Sequence, residues 1–169
     1  MLNRAQARRE DALLLALDGV QDPHNLGSLL RSADGAGAHG IIVPKRRSVG
    51  LTMTVARTSA GAVEHVPVAQ VSNLVQTLAE LKERGLWVVG ADMSAKQDVW
   101  EADLTGPLVL VIGGEDKGLG RLVRETCDFL VRIPMRGHIN SLNAAVAGAV
   151  LLFETFRQRS ARVGTPARG

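Results

Sequence analysis

Two polar residues lie between a short predicted strand and the last predicted helix. In Ile133–Glu154, IPMRGHINSLNAAVAGAVLLFE, the strand ends at Ile133, a glycine-containing loop follows, and Ser141 and Asn143 precede a helix of small residues. Hydroxyl and amide side chains at a helix start either cap the helix or bind a ligand. Ser141 is therefore an N-cap or part of a site, and distant segments must complete such a site.

The segment DPHNLGSLLRSADGAGAHG, residues 22–40, is one candidate partner for that loop. If Asn25 opens a helix, we expect Asn25 and Arg31 to face the carboxyl edge of a parallel sheet, where ligands bind in such folds. The small residues around Arg31 favour a partly enclosed guanidinium. The alternatives are simple capping by Asn25 and, for Arg31, a surface position or a helical ion pair with Asp34.

The segment LVLVIGGEDKGLG, residues 108–120, is the second candidate. Glycines after a strand let a ligand approach the backbone closely. The segment lacks the Walker pattern, because Lys117 precedes Gly118 and no hydroxyl follows, and it lacks the GxGxxG fingerprint of nucleotide-binding oxidoreductases. Glu115 disfavours a pyrophosphate ligand and favours a cation or a hydroxyl donor. The alternative is a solvated loop carboxylate.

The composition is that of one compact domain spanning residues 1–169, with 46% hydrophobic and 22% charged residues. Aromatic residues make up only 3%, which disfavours an aromatic stacking platform for nucleic acid. The net charge of +3 comes mainly from arginine, which suits phosphate contacts or reflects codon usage. Cys127 is alone and the histidines lack ligand spacing, so we expect no metal. We expect a cytoplasmic protein without a membrane segment.

Apolar strands alternate with helices, which predicts an α/β fold around a mostly parallel sheet flanked by helices. We expect residues 1–11 to be a lead-in, residues 92–106 a polar connection, and residues 160–169 a disordered tail. The first of six predicted strands begins at Leu13, and the other five cover residues 40–44, 66–68, 86–91, 108–112 and 130–133.

Taken together, the three segments resemble the SpoU branch of the SPOUT methyltransferases, also called the TrmH family. The first family motif, N-x-G-x-x-x-R, matches residues 25–31. The second matches residues 110–115, LVIGGE, followed by Gly118 and Leu119. The third matches IPMRG at residues 133–137 and then SLN at residues 141–143. Three ordered motifs with the correct internal spacing cover about Leu15 to Arg159.

The resemblance implies transfer of a methyl group from S-adenosylmethionine to a ribose 2′-hydroxyl of RNA. The sequence of residues 17–34 and 41–48 is most similar to the branch that modifies a guanosine of large-subunit ribosomal RNA. A transfer RNA substrate is an alternative, and a non-catalytic RNA-binding or ribosome-assembly module is an alternative of another class. The family also implies a deep C-terminal trefoil knot and a homodimer.

The family's site positions map onto this chain by motif. The catalytic positions are Asn25, Arg31, Glu115, Ser141 and Asn143. The positions expected to bind the methyl donor are Ala91, Gly113, Gly114, Ile133, Met135 and Leu142. The expected RNA contacts are Lys45, Arg46, Arg47, Arg57, Arg132 and Arg136, with solvated surface as the alternative for each.

The family proposal makes Arg31 the base, but a guanidinium is always protonated in proteins, so stabilisation of a developing alkoxide suits it better. We expect Glu115 to orient Arg31 or the substrate. Many relatives carry an N-terminal RNA-recognition domain, which we expect to be absent here because about a dozen residues precede the first strand. The chain would then be a separated catalytic domain or a minimal enzyme.

Overall fold

A seven-stranded sheet with helices on both faces forms the body of the protein. The computed structural model describes residues 1–46 and 48–163. The strands are β1 Leu13–Asp18, β2 Gly40–Pro44, β3 Val68–Val71, β4 Trp87–Ala91, β5 Gln97–Asp98, β6 Leu108–Gly113 and β7 Phe129–Arg132. The helices are α1 Leu2–Arg8, α2 Pro23–Gly35, α3 Met53–Thr58, α4 Leu74–Glu83, α5 Arg121–Thr126 and α6 Ala144–Val163.

The strand order is β3-β2-β1-β6-β4-β7-β5, and the pairings between neighbouring strands are parallel. Successive side chains of a strand point to opposite faces, so each strand contributes to two cores. Leu15 and Leu17 pack in the core that contains α2 and α6, whereas Leu14 and Ala16 pack in the core that contains α1, α4 and α5. The predicted α/β fold with a parallel sheet is therefore confirmed.

The predicted number of six strands is wrong. A short seventh strand, β5, lies within residues 92–106, where we expected a polar connection, and it pairs with β7 at the edge of the sheet. A two-residue edge strand has too few residues for a period-2 pattern, so the sequence carried no signal for it. The third strand begins at Val68, two residues later than predicted.

The expected disordered tail at residues 160–169 is also wrong in its first part, because α6 continues to Val163. Arg159 donates to the carbonyl oxygens of Asp11, Ala12 and Gly106, which holds the end of α6 against the amino edge of the sheet. Residues 164–169 lie outside the described residues. Residues 1–11 contain α1, consistent with a helical lead-in.

Two helices begin at residues other than those predicted. Asp22, not Asn25, caps α2, and its carboxylate accepts a hydrogen bond from the His24 amide at 2.8 Å. Pro23 suits the first helical position because its missing N–H would be unpaired there anyway. At α6, the side-chain oxygen of Asn143 accepts from the Ala145 amide at 2.9 Å, so Asn143 rather than Ser141 caps the helix. Within the described residues, no helix is long and apolar enough to cross a membrane.

A buried histidine joins the chain ahead of β1 to the start of β2. The His39 side chain is 1% exposed; its Nδ1 accepts the Leu13 amide at 3.1 Å, and its Nε2 lies 3.0 Å from a Glu10 carboxylate oxygen. Burial lowers the pKa of His39 below its ordinary value, against the smaller opposing effect of Glu10. The neutral ring is therefore the form that the fold requires, because a protonated Nδ1 cannot accept a hydrogen bond.

We predict that the fold loses stability as the pH falls below about 6.5, the ordinary histidine pKa. The unfolded chain then binds a proton that the folded chain resists, so the free energy of unfolding rises with pH up to that value and His39 adds no slope above it. Urea unfolding between pH 5 and 8 measures this slope. In His39→Asn, whose amide oxygen can accept from Leu13, the slope should be shallower; an unchanged slope would contradict the assignment.

Candidate active site

A cavity of about 350 Å³ lies at the carboxyl edge of the sheet, where β4, β6 and β7 end. This volume falls within the range of small-molecule sites, and an edge of this kind is where parallel sheets bind ligands. Its walls come from three loops that are distant in sequence: the residues after β4, the loop between β6 and α5, and the lead-in to α6. The lining includes Ala91, Asp92, Gly113, Gly114, Glu115, Leu119, Arg124, Ile133, Ser141, Leu142 and Ala147.

The loop between β6 and α5 is folded back on itself so tightly that glycine is required. A side chain at Gly113 would overlap the backbone of Gly118 and Leu119, and one at Gly114 would overlap the carbonyl group of Gly19. Gly118 completes the turn with a φ of +62°, which lies in the left-handed region that favours glycine. This wall of the cavity is therefore mostly backbone, which can make hydrogen bonds and close contacts with a ligand.

A chain of side-chain hydrogen bonds joins the three motif segments beside the cavity. Asn25, 5% exposed, donates through Nδ2 to Oε1 of Glu115 at 2.6 Å. Asn143 donates through Nδ2 to Oδ1 of Asn25 at 3.0 Å, while its own oxygen caps α6. These donors and acceptors fix the orientation of both amides, so Glu115 accepts a hydrogen bond from a side chain that is itself held in place.

Five of the six residues expected to bind a methyl donor line the cavity: Ala91, Gly113, Gly114, Ile133 and Leu142. Met135 is not among the lining residues. Of the expected catalytic residues, Glu115 and Ser141 line the cavity directly. Asn25 is connected to it by its hydrogen bond to Glu115, and Asn143 by its hydrogen bond to Asn25. Among the described residues, the Ser141 side chain has no hydrogen-bond partner, so its hydroxyl is available to a ligand.

Arg31 does not join these residues, which corrects two expectations. Its side chain is exposed rather than enclosed, and Glu115 pairs with Asn25 instead of Arg31. At 3.6 residues per turn, positions six apart on a helix point about 120° away from each other, so Asn25 can be buried beside the cavity while Arg31 faces outward. Arg31 lacks a hydrogen bond or ion pair within the described chain, so of the two alternatives for this residue the surface position is observed and the helical pair with Asp34 is not.

Five of the six residues predicted to contact RNA lie in the described part of the chain, and their side chains are exposed. Lys45 and Arg46 follow β2, and Arg57 lies on α3, which packs against α2. Arg136 is exposed in the loop before α6. Arg132, at the end of β7, lines the cavity and is paired with Asp98 at 2.6 Å, so it is not a free cation. Arg47 lies outside the described residues.

One ion pair of the cavity was not predicted from the sequence. Asp92 directly follows β4, and its carboxylate lies 2.6 Å from the guanidinium of Arg124 on α5. The Asp92 side chain is only 8% exposed and also accepts from the amide and hydroxyl of Ser94. An acidic residue directly after a central strand was the available signal, since that position reaches the carboxyl edge.

The chemistry open to this arrangement is restricted by what the described residues offer. Burial, followed by the neighbouring Asp128 carboxylate, raises the pKa of the Cys127 thiol to about 11, which disfavours a thiolate nucleophile. The described part of the chain has no cluster of histidine, cysteine or acidic residues that could hold a metal ion. The cavity instead offers backbone groups, apolar contacts, a hydroxyl and charged side chains of both signs, which suit the binding and positioning of an organic ligand.

Comparison with known proteins agrees with the motif pattern. Residues 12–153 match the family model described as the SpoU rRNA Methylase family. The chain belongs to this family. It is 58% identical over 148 residues to the 23S rRNA (guanosine-2′-O-)-methyltransferase RlmB of Ralstonia nicotianae, an alignment that covers 88% of this chain and 59% of that protein.

Solved structures share the fold as well as the sequence. The SpoU methyltransferase AviRb from Streptomyces viridochromogenes has a TM-score of 0.87 and 36% identity, covering 96% of this chain and 65% of that one. The same enzyme has been solved with the cofactor AdoMet, with a TM-score of 0.83 and 37% identity over 89% of this chain and 59% of that one. A TrmH/SpoU tRNA modifying enzyme from A. aeolicus has a TM-score of 0.81 and 28% identity, covering 96% and 87%.

The chain spans between 59% and 64% of the length of the curated relatives RlmB and two TrmH family proteins from Bacillus subtilis and Staphylococcus saprophyticus. The family assignment therefore concerns the domain that is present here.

We predict that the Asn25–Glu115 hydrogen bond is measurable as a coupling in protein stability. A double-mutant cycle of Asn25→Ala and Glu115→Ala, followed by urea unfolding, should give a coupling free energy of about 1 kcal/mol, at the lower end for a charged acceptor because Glu115 is exposed. The matched control pairs Asn25→Ala with Glu125→Ala, an exposed carboxylate on α5, and should be additive. Additive effects in both cycles would contradict the hydrogen bond.

Proposed function

We propose that the protein transfers a methyl group from S-adenosylmethionine to a ribose 2′-hydroxyl of RNA. The observation that carries the proposal is that three family motifs, which together span more than a hundred residues of the sequence, line or support one cavity at the carboxyl edge of the sheet. The similarity to RlmB and to AviRb, which has been solved with AdoMet, supports the same activity and the same methyl donor.

The residues present fit this methyl donor. Gly113 and Gly114 are packed against the protein's own backbone and still line the cavity, so the ligand would meet main-chain atoms rather than side chains at these two positions. Ala91, Gly113, Ile133 and Leu142 would hold the donor by backbone and apolar contacts. When bound, S-adenosylmethionine supplies an electrophilic methyl group for in-line displacement.

The protein's part in that reaction is to orient the acceptor and to stabilise charge. Ser141 lines the cavity with a hydroxyl that can donate to or accept from the ribose. Asn25 and Asn143 use their amide groups on each other and on Glu115, so we propose that they position Glu115 rather than contact the ribose themselves. The guanidinium of Arg31 stabilises the developing alkoxide while the proton leaves to water or phosphate.

We further propose that the protein acts as a homodimer in which Arg31 serves the partner subunit's cavity. Arg31 is exposed and is not among the residues that line the cavity of its own chain. On the neighbouring helix α6, Val146, Phe153 and Phe156 are 48%, 46% and 40% exposed, and the two phenylalanine rings pack edge to face at 6.5 Å. Such an apolar surface on a small domain favours burial against a second copy.

The proposed substrate is a guanosine of large-subunit ribosomal RNA, because RlmB relatives from three bacteria are 54–58% identical to this chain. A transfer RNA is the second candidate, favoured by the tRNA modifying enzyme of A. aeolicus, of which this chain covers 87%. An RNA substrate implies action in the cytoplasm. A non-catalytic RNA-binding module is less well supported, because the motif residues Asn25, Arg31, Glu115, Ser141 and Asn143 are all present.

The proposal also includes a single methyltransferase domain and the family's C-terminal trefoil knot. In support of the knot, the loop between β6 and α5 and the lead-in to α6 line the same cavity, and the backbone at Gly113 is pressed against Gly118 and Leu119. A crystal structure traced continuously from β6 through α6 tests the crossing.

We predict methylation of ribosomal RNA that depends on Arg31. Protein, unmodified ribosomal or transfer RNA and labelled S-adenosylmethionine are incubated, and the RNA is digested for identification of the modified nucleoside. Wild-type protein should form 2′-O-methylguanosine in ribosomal RNA, and Arg31→Ala should lower turnover by about 100-fold or more, as for loss of one group that stabilises transition-state charge. Binding of S-adenosylmethionine should change little.

Arg121→Ala, an exposed arginine on the other face of the sheet, is the matched control and should behave as wild type. Methylation of transfer RNA alone would favour the second candidate. Near-wild-type turnover by Arg31→Ala would contradict the role of Arg31, and no transfer to either RNA would favour the binding module.

We predict subunit complementation. We expect Arg31→Ala and Glu115→Ala chains each to have little activity alone, whereas a mixed dimer contains one cavity with an intact Glu115 and an intact Arg31 from its partner. Random co-assembly should therefore restore about a quarter of wild-type activity, since half of the dimers are mixed and each has one working site. Adding Phe153→Glu to both chains should abolish the restoration. No restoration in mixed dimers would show that Arg31 acts within its own chain.

A further inference from the structure

The residue that ends β1 lies under the loop that forms one wall of the cavity. This residue, Asp18, lies outside the three motif segments. It is paired in register with Gly113, the last residue of β6, so the loop between β6 and α5 begins directly beside it. The loop then runs through Glu115 and returns to Gly120, where α5 begins.

Asp18 is bonded to both ends of this loop. Its backbone oxygen accepts from the Gly114 amide at 2.7 Å, and its side-chain Oδ2 accepts from the Gly120 amide at 2.7 Å. The first of these bonds continues the sheet ladder and would form with any residue at this position. The second requires an acceptor on the side chain.

The ends of the loop are packed at Gly113, Gly114 and Leu119, but few other contacts hold its middle, residues 115–118, in place. Within the loop, Gly114 and Gly118 form an isolated bridge, and Glu115 accepts from Asn25. Residues 115–118 are exposed, so packing contributes little to their position. Gly120 caps α5 without a side chain of its own, and the Asp18 carboxylate satisfies an amide that would otherwise lack a partner at this helix start.

We propose that Asp18 is a positioning residue of the methyl-donor pocket. Its carboxylate holds the end of the loop at Gly120 beside β1, while its backbone oxygen holds the start at Gly114. These two bonds fix the positions of the glycines that line the cavity and of Glu115. The inference rests on the proposed function for the identity of the ligand, but the restraint on the loop is a property of the protein alone. Asp18 itself does not line the cavity, so it acts through the loop.

The test uses two readouts on the whole chain. Lys117 is an exposed trypsin site inside the loop, so the rate of cleavage after Lys117, followed by mass spectrometry, reports loop opening without any ligand. Calorimetric titration with S-adenosylmethionine reports the pocket. Asp18→Ala removes the side-chain bond and keeps the backbone bond at Gly114.

We expect Asp18→Ala to accelerate cleavage after Lys117 by about fivefold or more and to raise the Kd for S-adenosylmethionine by about tenfold, since it removes a charge-assisted hydrogen bond at the end of a solvent-exposed loop. Asp18→Asn keeps an acceptor of the same shape and should stay within about threefold of wild type in both readouts.

Asp128→Ala is the matched control. The Asp128 carboxylate also accepts a distant backbone amide, that of Val88, at 2.7 Å, but at the opposite edge of the sheet. It should alter neither readout. A general loss of stability would affect both variants, whereas the proposed restraint affects Asp18→Ala alone.

Wild-type rates of Lys117 cleavage in Asp18→Ala would overturn the inference, as would faster cleavage with unchanged affinity for S-adenosylmethionine. Equal losses in Asp18→Asn and Asp18→Ala would also overturn it, because the acceptor would then not be what matters. Absence of S-adenosylmethionine binding by the wild-type protein would instead overturn the proposed function, and the cleavage readout would still decide whether Asp18 restrains the loop.

Discussion

The site depends on a close approach of backbone to backbone at the carboxyl ends of β1 and β6. Gly113 and Gly114 lie against Gly118, Leu119 and Gly19 with no space for a side chain. This contact folds the loop after β6 back over the sheet edge and brings Leu119 into the core on one side while leaving Glu115 on the other. A side chain at either glycine would push the loop outward and remove one wall of the cavity.

Most polar side chains around this contact hydrogen-bond to one another and so hold the loops of the site together. Asn143 caps α6 and orients Asn25, and Asn25 in turn donates to Glu115, so the start of the last helix, the first turn of α2 and the loop after β6 are linked. The groups left available, the Ser141 hydroxyl and the exposed Arg31, are those that the proposed reaction needs for the acceptor. This division fits a transfer in which positioning provides most of the rate.

Much of the fold could be predicted because the strands are buried on both faces, which produces apolar runs such as Leu13–Leu17 that are hard to mistake. The seventh strand could not, since two residues at a sheet edge carry no periodic pattern. The starts of α2 and α6 were predicted at the wrong residues because Asn25 and Ser141 are also good capping residues. The structure shows that Asp22, followed by Pro23, caps α2 and that Asn143 caps α6.

For the candidate site, too, features that depend on local sequence could be predicted, whereas features that depend on packing between distant segments could not. The resemblance to the family motifs identified the cavity lining at Gly113, Gly114 and Leu142. Of these, only the glycines after a strand also carry a signal of their own. The ion pair between Asp92 and Arg124 depends on how separate elements pack, which spacing along one segment does not encode. The divergence of Arg31 from Asn25, by contrast, follows from helical periodicity within one segment and was open to prediction.

The central claim is that the cavity between the β6–α5 loop and the lead-in to α6 binds a methyl donor. Calorimetric titration of the purified chain with S-adenosylmethionine and, in parallel, with NAD tests it most directly. The account predicts one S-adenosylmethionine site per chain, no heat with NAD, and loss of the site in Gly113→Val while Gly50→Val, at an open position, retains it. Binding of NAD, or S-adenosylmethionine binding that survives Gly113→Val unchanged, would contradict it.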